Sequence, residues 1–267
     1  MQTIYLWLKS KKAASILGLI ILFVIIFGSL GLKYLRRPIF FPKIIIWAWE
    51  RPENLLFIDN KNIGVAFYAG TITFSGSETI FRPRLQSLVV NPDTSIMAVV
   101  RVVNNKRTGQ LSDNQLSEAS KLIIKICSQN KISGCQIDFD VKKSEINFYK
   151  ELISEIKSNL PKSIPLSITT LTSWCHTGSW LEGLQINEVV PMFYRLGADE
   201  YSIRKNLVGG SFMKARSCQK AIGVSVDEPL PQSEYLKNRR IYIFNPHPWT
   251  IEELHNIIKK IEEKLGE

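Results

Sequence analysis

The stretch Gly134-Cys135-Gln136-Ile137-Asp138-Phe139-Asp140 predicts a buried β-strand with two carboxylates near its carboxyl end. Because side chains alternate across a strand, Asp138 and Asp140 share one face. Their α-carbons should lie roughly 6.5 Å apart, twice the rise of about 3.3 Å per residue. In α/β barrels the active site sits at the carboxyl ends of the strands. This stretch therefore predicts a barrel strand that delivers two acids to an enzyme-like site.

Short apolar runs recur along the rest of the chain and are separated by segments of helical period. They predict strands at 44–49, 63–69, 96–103, 135–140, 166–171, 189–194, 222–226 and 241–244. Helices are predicted at 113–128, with Ser112 as N-cap, at 144–160 and at 251–265. Apolar strands mixed with amphipathic helices are typical of a parallel sheet covered on its outer face. Eight strands in this length favour an α/β fold with a single irregular (β/α)8 barrel.

One segment breaks the strand–helix alternation. Residues 71–94 show alternating apolar positions and then Arg82-Pro83-Arg84, without a helical pattern. We expect a β-hairpin or another extended excursion here, in place of the second barrel helix.

The amino-terminal region has the length and composition of a membrane anchor. Residues 13–32 carry no charge and are rich in Ile, Leu, Phe and Val, and twenty helical residues span roughly 30 Å, the thickness of a bilayer core. A cleaved signal peptide is the alternative, but no Ala-x-Ala site follows the run. The chain therefore divides into a basic segment 1–12, a transmembrane helix 13–32, a basic linker 33–43 and a barrel domain 44–267.

The positive charge of the chain is concentrated near this predicted anchor. Residues 1–43 hold seven Lys and Arg and no acid, out of a formal net charge of +10. Contacts with lipid headgroups explain such a distribution, whereas a nucleic-acid-binding domain would carry a basic patch in its folded part. We therefore expect a lipid bilayer as a partner through residues 13–32, and no nucleic acid.

The cysteines and histidines do not predict a metal or a cofactor. Cys127, Cys135, Cys175 and Cys218 form no Cys-x-x-Cys pair, and no histidine has further ligands at a zinc spacing. Glycine-rich phosphate loops are also absent. Four cysteines would permit disulfides outside the cytoplasm, but burial as free thiols is the interpretation that the sequence favours.

Polar and aromatic residues follow most of the predicted strands, where a barrel binds its ligands. The candidate catalytic residues are Asp138, Asp140 and Glu50. The candidate substrate-binding residues are Trp49, Arg101, Trp174, Tyr194, Arg195, Asp227, Glu228 and Asn245.

Each candidate also has a structural interpretation. Asp138 could pair with Arg101 inside the barrel, and Glu50 could be a surface acid paired with Arg51. The tryptophans could pack in the core, although Trp49 and Trp174 could instead stack on sugar faces. Arg82 and Arg84 would more often form surface ion pairs than an anion site.

Asp138-Phe139-Asp140 on strand four and Met192-Phe193-Tyr194 on strand six resemble motifs of the family 18 chitinase barrels. The resemblance implies that the acids orient an acetamido group for substrate-assisted hydrolysis and that the tyrosine helps to hold it. The proton-donating Glu of that family falls at Lys142, and the acid after its tyrosine falls at Arg195. Lysine cannot replace a carboxylic acid of raised pKa as proton donor, so chitinase action by that mechanism is not expected.

A second resemblance spans residues 44–250. Its motifs are Trp47-Ala48-Trp49-Glu50-Arg51-Pro52-Glu53, Arg82-Pro83-Arg84-Leu85-Gln86, Gln136-Ile137-Asp138-Phe139-Asp140, Ser173-Trp174-Cys175, Asp227-Glu228-Pro229 and Phe244-Asn245-Pro246. Together they are similar to those of a bacterial family of unknown function whose members often carry a signal or anchor. The resemblance implies a barrel and export, without a substrate.

Two functions follow as expectations. The first is a membrane-anchored, exported glycoside hydrolase-like enzyme that acts on an envelope or extracellular polysaccharide, with Asp140 as base or orienting acid and Glu50 as proton donor. The second is a non-catalytic glycan-binding or scaffold barrel that has lost the acid, in which Lys142 and Arg195 suit an anionic ligand. In both, the barrel lies on the extracytoplasmic side of the cell membrane, held by a single span.

Overall fold

The computed structural model describes residues 41–59, 61–105, 111–177, 179–197, 200–207, 213 and 215–266. The strands are β1 (Ile44–Ala48), β2 (Glu53–Asn54), β3 (Ile63–Ser75), β4 (Glu78–Pro83), β5 (Leu88–Val89), β6 (Ile96–Asn104), β7 (Ile132–Phe139), β8 (Leu166–Leu171), β9 (Glu188–Met192), β10 (Ala221–Ser225) and β11 (Arg240–Phe244). The helices are α1 (Asp113–Cys127), α2 (Ile146–Asn159), α3 (Thr172–Thr177), α4 (Glu200–Leu207), α5 (Ser233–Leu236) and α6 (Ile251–Leu265). Short 3-10 turns lie at Lys143–Glu145, Ser179–Leu181 and Arg216–Gln219.

Eight of the strands close into a parallel barrel. The order is β1-β3-β6-β7-β8-β9-β10-β11, and β1 pairs in parallel with both β3 and β11. Closure leaves no free edge in this ring. The topology confirms the predicted (β/α)8 barrel, and all eight predicted strands are present.

The predicted excursion at 71–94 is also confirmed. β3 runs well past the end of β1 and turns back as the antiparallel strand β4, with Ser75 opposite Glu78. A short parallel pair, β2 and β5, flanks this hairpin. Strand and hairpin therefore replace the helix that would follow the second strand of a regular barrel.

The long helices begin and end at residues that supply local caps. Ser112 accepts a hydrogen bond from the Gln115 N–H and forms a capping box with it, as the sequence predicted for α1. Thr250 caps α6 by accepting a hydrogen bond from the Glu253 N–H, and Gly266 ends α6 in the left-handed conformation. Each of these helices buries an apolar stripe, such as Leu254, Ile257 and Ile261 of α6.

The inside of the barrel is filled by side chains. At its amino-terminal end Phe41, Met97 and Tyr242 are almost completely buried. Above them Trp47 Nε1 donates a 2.8 Å hydrogen bond to Gln136 Oε1, and Gln136 Nε2 donates to Ser167 Oγ at 3.1 Å. The barrel is therefore a packed core, and only its carboxyl-terminal end is left to form a site.

A buried charge cluster closes the amino-terminal end. The Glu188 carboxylate, which is 7% exposed, accepts hydrogen bonds from Tyr242 and from Arg240. Arg240 also donates to the carbonyls of Phe41 and Pro42, at 3.2 and 3.0 Å. Burial penalises an unpaired charge, so Arg240 and Glu188 are held together as a pair. The bonds from Arg240 to Phe41 and Pro42 then fix the segment before β1 against the amino-terminal end of the barrel.

The four cysteines are paired, so the expectation of free thiols is wrong. Cys127 at the end of α1 is bonded to Cys135 on β7, and Cys175 on α3 is bonded to Cys218 in the third 3-10 turn. The Cα atoms are 5.4 and 6.0 Å apart. Burial, which suggested free thiols, is equally compatible with disulfides once the fold brings each pair together.

Residues 41–267 form one compact unit, which begins three residues before the predicted barrel boundary. The predicted membrane helix at 13–32 lies outside the described residues. Within the described ranges, no helix combines the length and apolar character needed to cross a bilayer.

The Trp47–Gln136–Ser167 network should contribute measurably to stability. Gln136→Met keeps the length of the side chain but leaves a buried N–H and a buried hydroxyl without their partner. We expect a loss of about 2 to 3 kcal/mol in the free energy of unfolding, measured by urea denaturation. Gln129→Met, the same change at an exposed position, is the matched control. Equal stability of the two variants would contradict the role assigned to Gln136.

Candidate active site

The strand register places a row of polar side chains across the mouth of the barrel. Arg101 on β6 is the Cα partner of Thr71 on β3 and of Asp138 on β7. Thr169 on β8 continues the row, because its Oγ1 donates a 2.7 Å hydrogen bond to Asp138 Oδ1. Paired residues present their side chains on one face, so these groups line the same side of the mouth.

Asp138 supplies the carboxylate of this row, and it is largely buried. Its side chain is 13% exposed, and Arg101 Nε lies 3.9 Å from Asp138 Oδ2. Burial raises the pKa of Asp138, and the nearby Asp140 raises it further, whereas Thr169 and Arg101 act in the opposite direction. Asp138 therefore lies at the mouth and also forms the ion pair with Arg101 that its structural interpretation predicted.

Asp140 lies two residues further on, just past the end of β7, and is exposed. Within the described parts of the chain its carboxylate has no hydrogen-bond or ion-pair partner. Asp138 and Asp140 thus form an unequal pair, one acid buried and bonded, the other open to solvent. Such unequal environments are how proteins separate an acid role from a base role.

Aromatic rings line the opposite side of the mouth. Tyr194 stacks on Phe244 with ring centroids 5.3 Å apart and an interplanar angle of 3°. Trp49 packs against Tyr68 at 5.4 Å and against Phe244 at 6.4 Å. Burial, followed by the negative charges of Asp138 and Asp140, raises the pKa of Tyr194 well above its ordinary value. Tyr194 is therefore a neutral hydrogen-bond donor within electrostatic reach of the two acids.

Arg195 is held by the two acids that follow β10. Its guanidinium donates to Asp227 Oδ2 and to Glu228 Oε1, each at 2.7 Å, and its backbone N–H also donates to Glu228 at 2.9 Å. The Ser225 hydroxyl donates to the other Asp227 oxygen, and this bond together with Arg195 lowers the pKa of Asp227. Arg195 is thus engaged, and it does not supply the free positive charge expected for an anionic ligand.

Lys142, where the family 18 resemblance would place the proton donor, is also engaged. Its Nζ lies 3.6 Å from Glu145 Oε1, and its backbone N–H donates to Glu145 Oε2 at 2.8 Å. Asn104 donates to the same buried glutamate at 2.7 Å. Lys142 therefore caps the turn before α2, and the second reason for expecting an anionic ligand is likewise removed.

Glu50 pairs with a different arginine from the one expected. Arg82 Nη2 on β4 lies 3.4 and 3.5 Å from the two Glu50 oxygens, whereas Arg51 lies 3.7 Å from Glu53. The Glu50 side chain is 35% exposed. Glu50 therefore lies at the rim between β1 and the hairpin, at the side of the mouth.

Arg84 and Arg51 bind backbone carbonyls, which corrects the expectation of surface ion pairs or an anion site for Arg84. The Arg84 guanidinium donates to the carbonyls of Ala48, Trp49, Arg51, Gln86 and Ser87. Arg51 donates to the carbonyls of Asn245 and Pro246. These bonds fix the loop after β1, which carries Trp49 and Glu50.

Two further candidates support the site from outside it. Trp174 makes an edge contact with Trp180 at 5.6 Å and packs on the outer core, as its structural interpretation predicted. Asn245 is almost fully buried, and its carboxamide oxygen accepts a 2.9 Å hydrogen bond from the His247 N–H. Asn245 therefore shapes the turn after β11.

Sequence reasoning missed four residues of the mouth, namely Tyr68, Thr169, Ser225 and Phe244. All four lie inside predicted strands or at their ends. Every second side chain of a strand points to the same face. Starting from Asp138, Trp49 and their partners on neighbouring strands, this alternation would have indicated which residues face into the barrel. Tyr68 also donates to or accepts from Thr71 Oγ1 at 2.8 Å, a contact that depends on the irregular register of β3.

Among the described residues no group of three or more His, Cys, Asp and Glu side chains could hold a metal ion. A surface recess of about 230 Å³ lies near the amino-terminal end of β9, lined by Glu182, Asn187, Arg216 and Lys220. That end of the barrel is opposite the carboxylates, so the recess is separate from the mouth.

Comparisons with known proteins give little further information. No family model matches the chain, and so neither resemblance stated above gains support from one. No curated protein matches it either. Among solved structures, it is similar to a GH113 beta-mannanase from Alicyclobacillus acidocaldarius in complex with ManMIm, with a TM-score of 0.47 and 8% identity over 79% of this chain and 88% of that one. We draw no conclusion about this chain from a similarity at that level.

The raised pKa of Asp138 predicts a specific pH dependence of stability. Folding disfavours the ionised form of Asp138, so this carboxyl group costs the most stability above its raised folded pKa. The cost shrinks as pH falls below that pKa and is gone below the unfolded pKa of about 3.9. Asp138→Asn keeps an acceptor for Thr169 and removes the charge. We therefore expect this variant to be more stable than the wild type at pH 7, with a gain that shrinks toward pH 4.

Urea denaturation across this pH range measures the effect, with Asp93→Asn at an exposed position as control. The interpretation fails if Asp138→Asn and the wild type show parallel pH profiles.

Proposed function

We propose that this protein is a glycoside hydrolase-like barrel that acts on an envelope or extracellular polysaccharide at its carboxyl-terminal mouth. The observation that supports this most is the unequal pair of Asp138 and Asp140 facing the aromatic rings of Trp49 and Tyr194. Carboxylates opposite aromatic rings are the groups that glycoside cleavage uses, the acids for proton transfer and the rings for the apolar faces of sugars.

The two carboxyl groups suit different steps of a glycoside hydrolysis. Asp140, exposed and unpartnered among the described residues, serves as the base or orienting acid. The proton donor is either Asp138, whose raised pKa favours the protonated form, or Glu50 across the mouth. We favour Asp138, because its side chain is the more buried of the two, 13% exposed against 35% for Glu50, and burial raises its pKa. Tyr194 holds the substrate by donating its phenolic hydrogen.

A non-catalytic glycan-binding barrel is the second candidate, and one observation supports it. Four of the five acids around the mouth are already paired with arginines: Glu50 with Arg82, Asp138 with Arg101, and both Asp227 and Glu228 with Arg195. A binding site needs the aromatic rings and such fixed polar groups but no free proton donor. Because Lys142 and Arg195 are engaged, a ligand of this kind does not need to be anionic.

We also propose that the barrel lies outside the cytoplasm and is tethered by residues 13–32. The apolar run supplies the length of a membrane span. The two disulfides, Cys127–Cys135 and Cys175–Cys218, add a second reason, because disulfides persist in oxidising compartments and are rare in the cytoplasm.

The hydrolase proposal predicts release of reducing ends by the full-length chain from at least one member of a panel of bacterial envelope glycans. Loss of a carboxylate that transfers a proton typically costs about 10²- to 10⁴-fold in rate. We expect Asp138→Asn and Asp140→Asn to lose activity on this scale, and Glu50→Gln to lose much less.

Asp93→Asn and Glu262→Gln, both at exposed positions, are the matched controls. A large loss in Glu50→Gln with activity retained in Asp138→Asn would move the proton donor to Glu50. If no glycan is cleaved but one is bound, and Trp49→Ala abolishes that binding, the binding barrel is the better description.

The location proposal predicts that protease added to intact spheroplasts of an expressing bacterium degrades the barrel. Blocking of free thiols in whole cells before denaturation should leave all four cysteines unlabelled until a reductant is added. A cytoplasmic protein of the same cells, and the same preparation after lysis, are the controls. A barrel that is protected until lysis, with four freely labelled thiols, would contradict export.

A further inference from the structure

A three-stranded extension rises from one side of the barrel mouth. β1 pairs with β3 only as far as Phe67, whereas β3 continues to Ser75 beside β6 and β4. We name the segment formed by residues 70–75, 78–83 and 100–104 the hairpin wall. It extends beyond the rim of the closed barrel because its strands continue past the point where β1 ends.

The start of the hairpin wall depends on a close backbone approach. The register of β3 against β6 shifts between Tyr68 and Gly70. A Cβ atom on Gly70 would lie 2.7 Å from the Arg82 carbonyl oxygen and 2.6 Å from the Phe81 ring. Glycine at this position therefore lets β4 pack closely on β3 and sets the direction of the wall.

The two faces of the hairpin wall differ in their environment. One face carries Ile72, Phe74 and Val102, which are buried toward the helices, and Phe74 contacts Phe148 of α2 at 5.4 Å. The other face carries the alternate residues, several of which remain partly or fully exposed. These are Thr73, Ile80, Arg82, Arg101 and Val103.

The exposed face is continuous with the candidate active site. In the lower row, Arg82, Thr71 and Arg101 are register partners, and Arg101 is in turn the partner of Asp138. In the upper row, Thr73 is the register partner of both Ile80 and Val103. Asp140 follows two residues after Asp138. The sheet surface therefore leads from the tip of the hairpin directly to the two acids.

We infer that the exposed face of the hairpin wall is an extended binding platform for the same polysaccharide chain that the mouth engages. The inference rests on the proposed function and adds to it that the protein recognises several consecutive sugar units. A polysaccharide bound in this way would be contacted along several sugar units, and the site would cleave within polysaccharide chains in preference to their ends.

The chemistry of the platform fits this occupant. Ile80, 48% exposed, and Val103 supply apolar surface for the faces of sugar rings. The guanidinium groups of Arg82 and Arg101, 68% and 44% exposed, and the Thr73 hydroxyl supply hydrogen bonds to ring hydroxyls. Sugars present the same alternation of apolar faces and polar edges. A second copy of this chain is the competing occupant.

The test compares long and short probes on the full-length protein. Binding of β-1,4-linked hexasaccharides of glucose, mannose and N-acetylglucosamine is measured by calorimetry beside the corresponding disaccharides. Two variants modify the platform without altering the acids: Ile80→Ser removes an apolar contact, and Thr73→Gln places a longer side chain on its surface. Ile251→Ser, at a position 51% exposed on α6, is the matched control.

We expect the wild type to bind one hexasaccharide more tightly than its disaccharide. Ile80→Ser and Thr73→Gln should each weaken hexasaccharide binding about five- to tenfold and change disaccharide binding less than about twofold. Ile251→Ser should match the wild type. Circular dichroism and thermal unfolding confirm that each variant is folded.

Three results would overturn the inference. Equal affinity for hexasaccharide and disaccharide, or equal losses for both in the variants, would reject the platform while leaving the mouth as a binding site. A dimer in analytical ultracentrifugation that Ile80→Ser dissociates would assign the face to a second copy. Absence of binding to every probe would remove the proposed function for these sugars, and the platform with it.

Discussion

The buried hydrogen bond between Trp47 and Gln136 is the contact that determines where this protein can have a site. It joins β1 to β7 through the centre of the barrel, and Gln136 extends it to Ser167 on β8. Gly223 on β10 provides the space, because a Cβ there would lie 2.9 Å from the Trp47 ring. With the interior filled at this level and below, chemistry is restricted to the layer of side chains above it. That layer begins with Trp49 and Asp138, each two residues further along the strand.

The sequence motifs of the chain have different structural roles. Arg51 and Arg84 satisfy backbone carbonyls of loops that have no regular secondary structure to satisfy them, and Glu53 accepts the Trp249 N–H from a buried position. These residues hold the mouth and do not take part in its chemistry. Asp138 and Asp140 also belong to a motif, but their carboxylates face the open end. Partly buried cations on carbonyls and a carboxylate pair at the mouth are therefore complementary parts of one design, a rigid frame around a reactive centre.

Much of the fold could be predicted from the sequence because apolar strands and amphipathic helices report their period locally. The eight barrel strands, the N-cap at Ser112 and the hairpin after β3 follow from such patterns. Side-chain partners could not be predicted in the same way. Glu50 meets Arg82 because β4 pairs with β3 just beyond the point where β1 ends, and Arg195 meets Asp227 and Glu228 because β9 lies beside β10. Cys127 and Cys135 are paired because a helix end returns to a strand eight residues later, which composition alone does not reveal.

The pairing of charges around the mouth also limits what kind of chemistry it can perform. Arg195 pairs with both Asp227 and Glu228, and together with Ser225 it lowers the pKa of Asp227, so Asp227 cannot readily donate a proton. Asp138 is different, since burial opposes its ionisation while Thr169 and Arg101 oppose its protonation. Burial is the largest cause of the raised pKa of Asp138, so further loss of water around this carboxyl group raises the pKa more. A sugar that displaces water from Asp140 and Tyr194 would act in this direction, because exclusion of water strengthens the effect of Asp140 on Asp138.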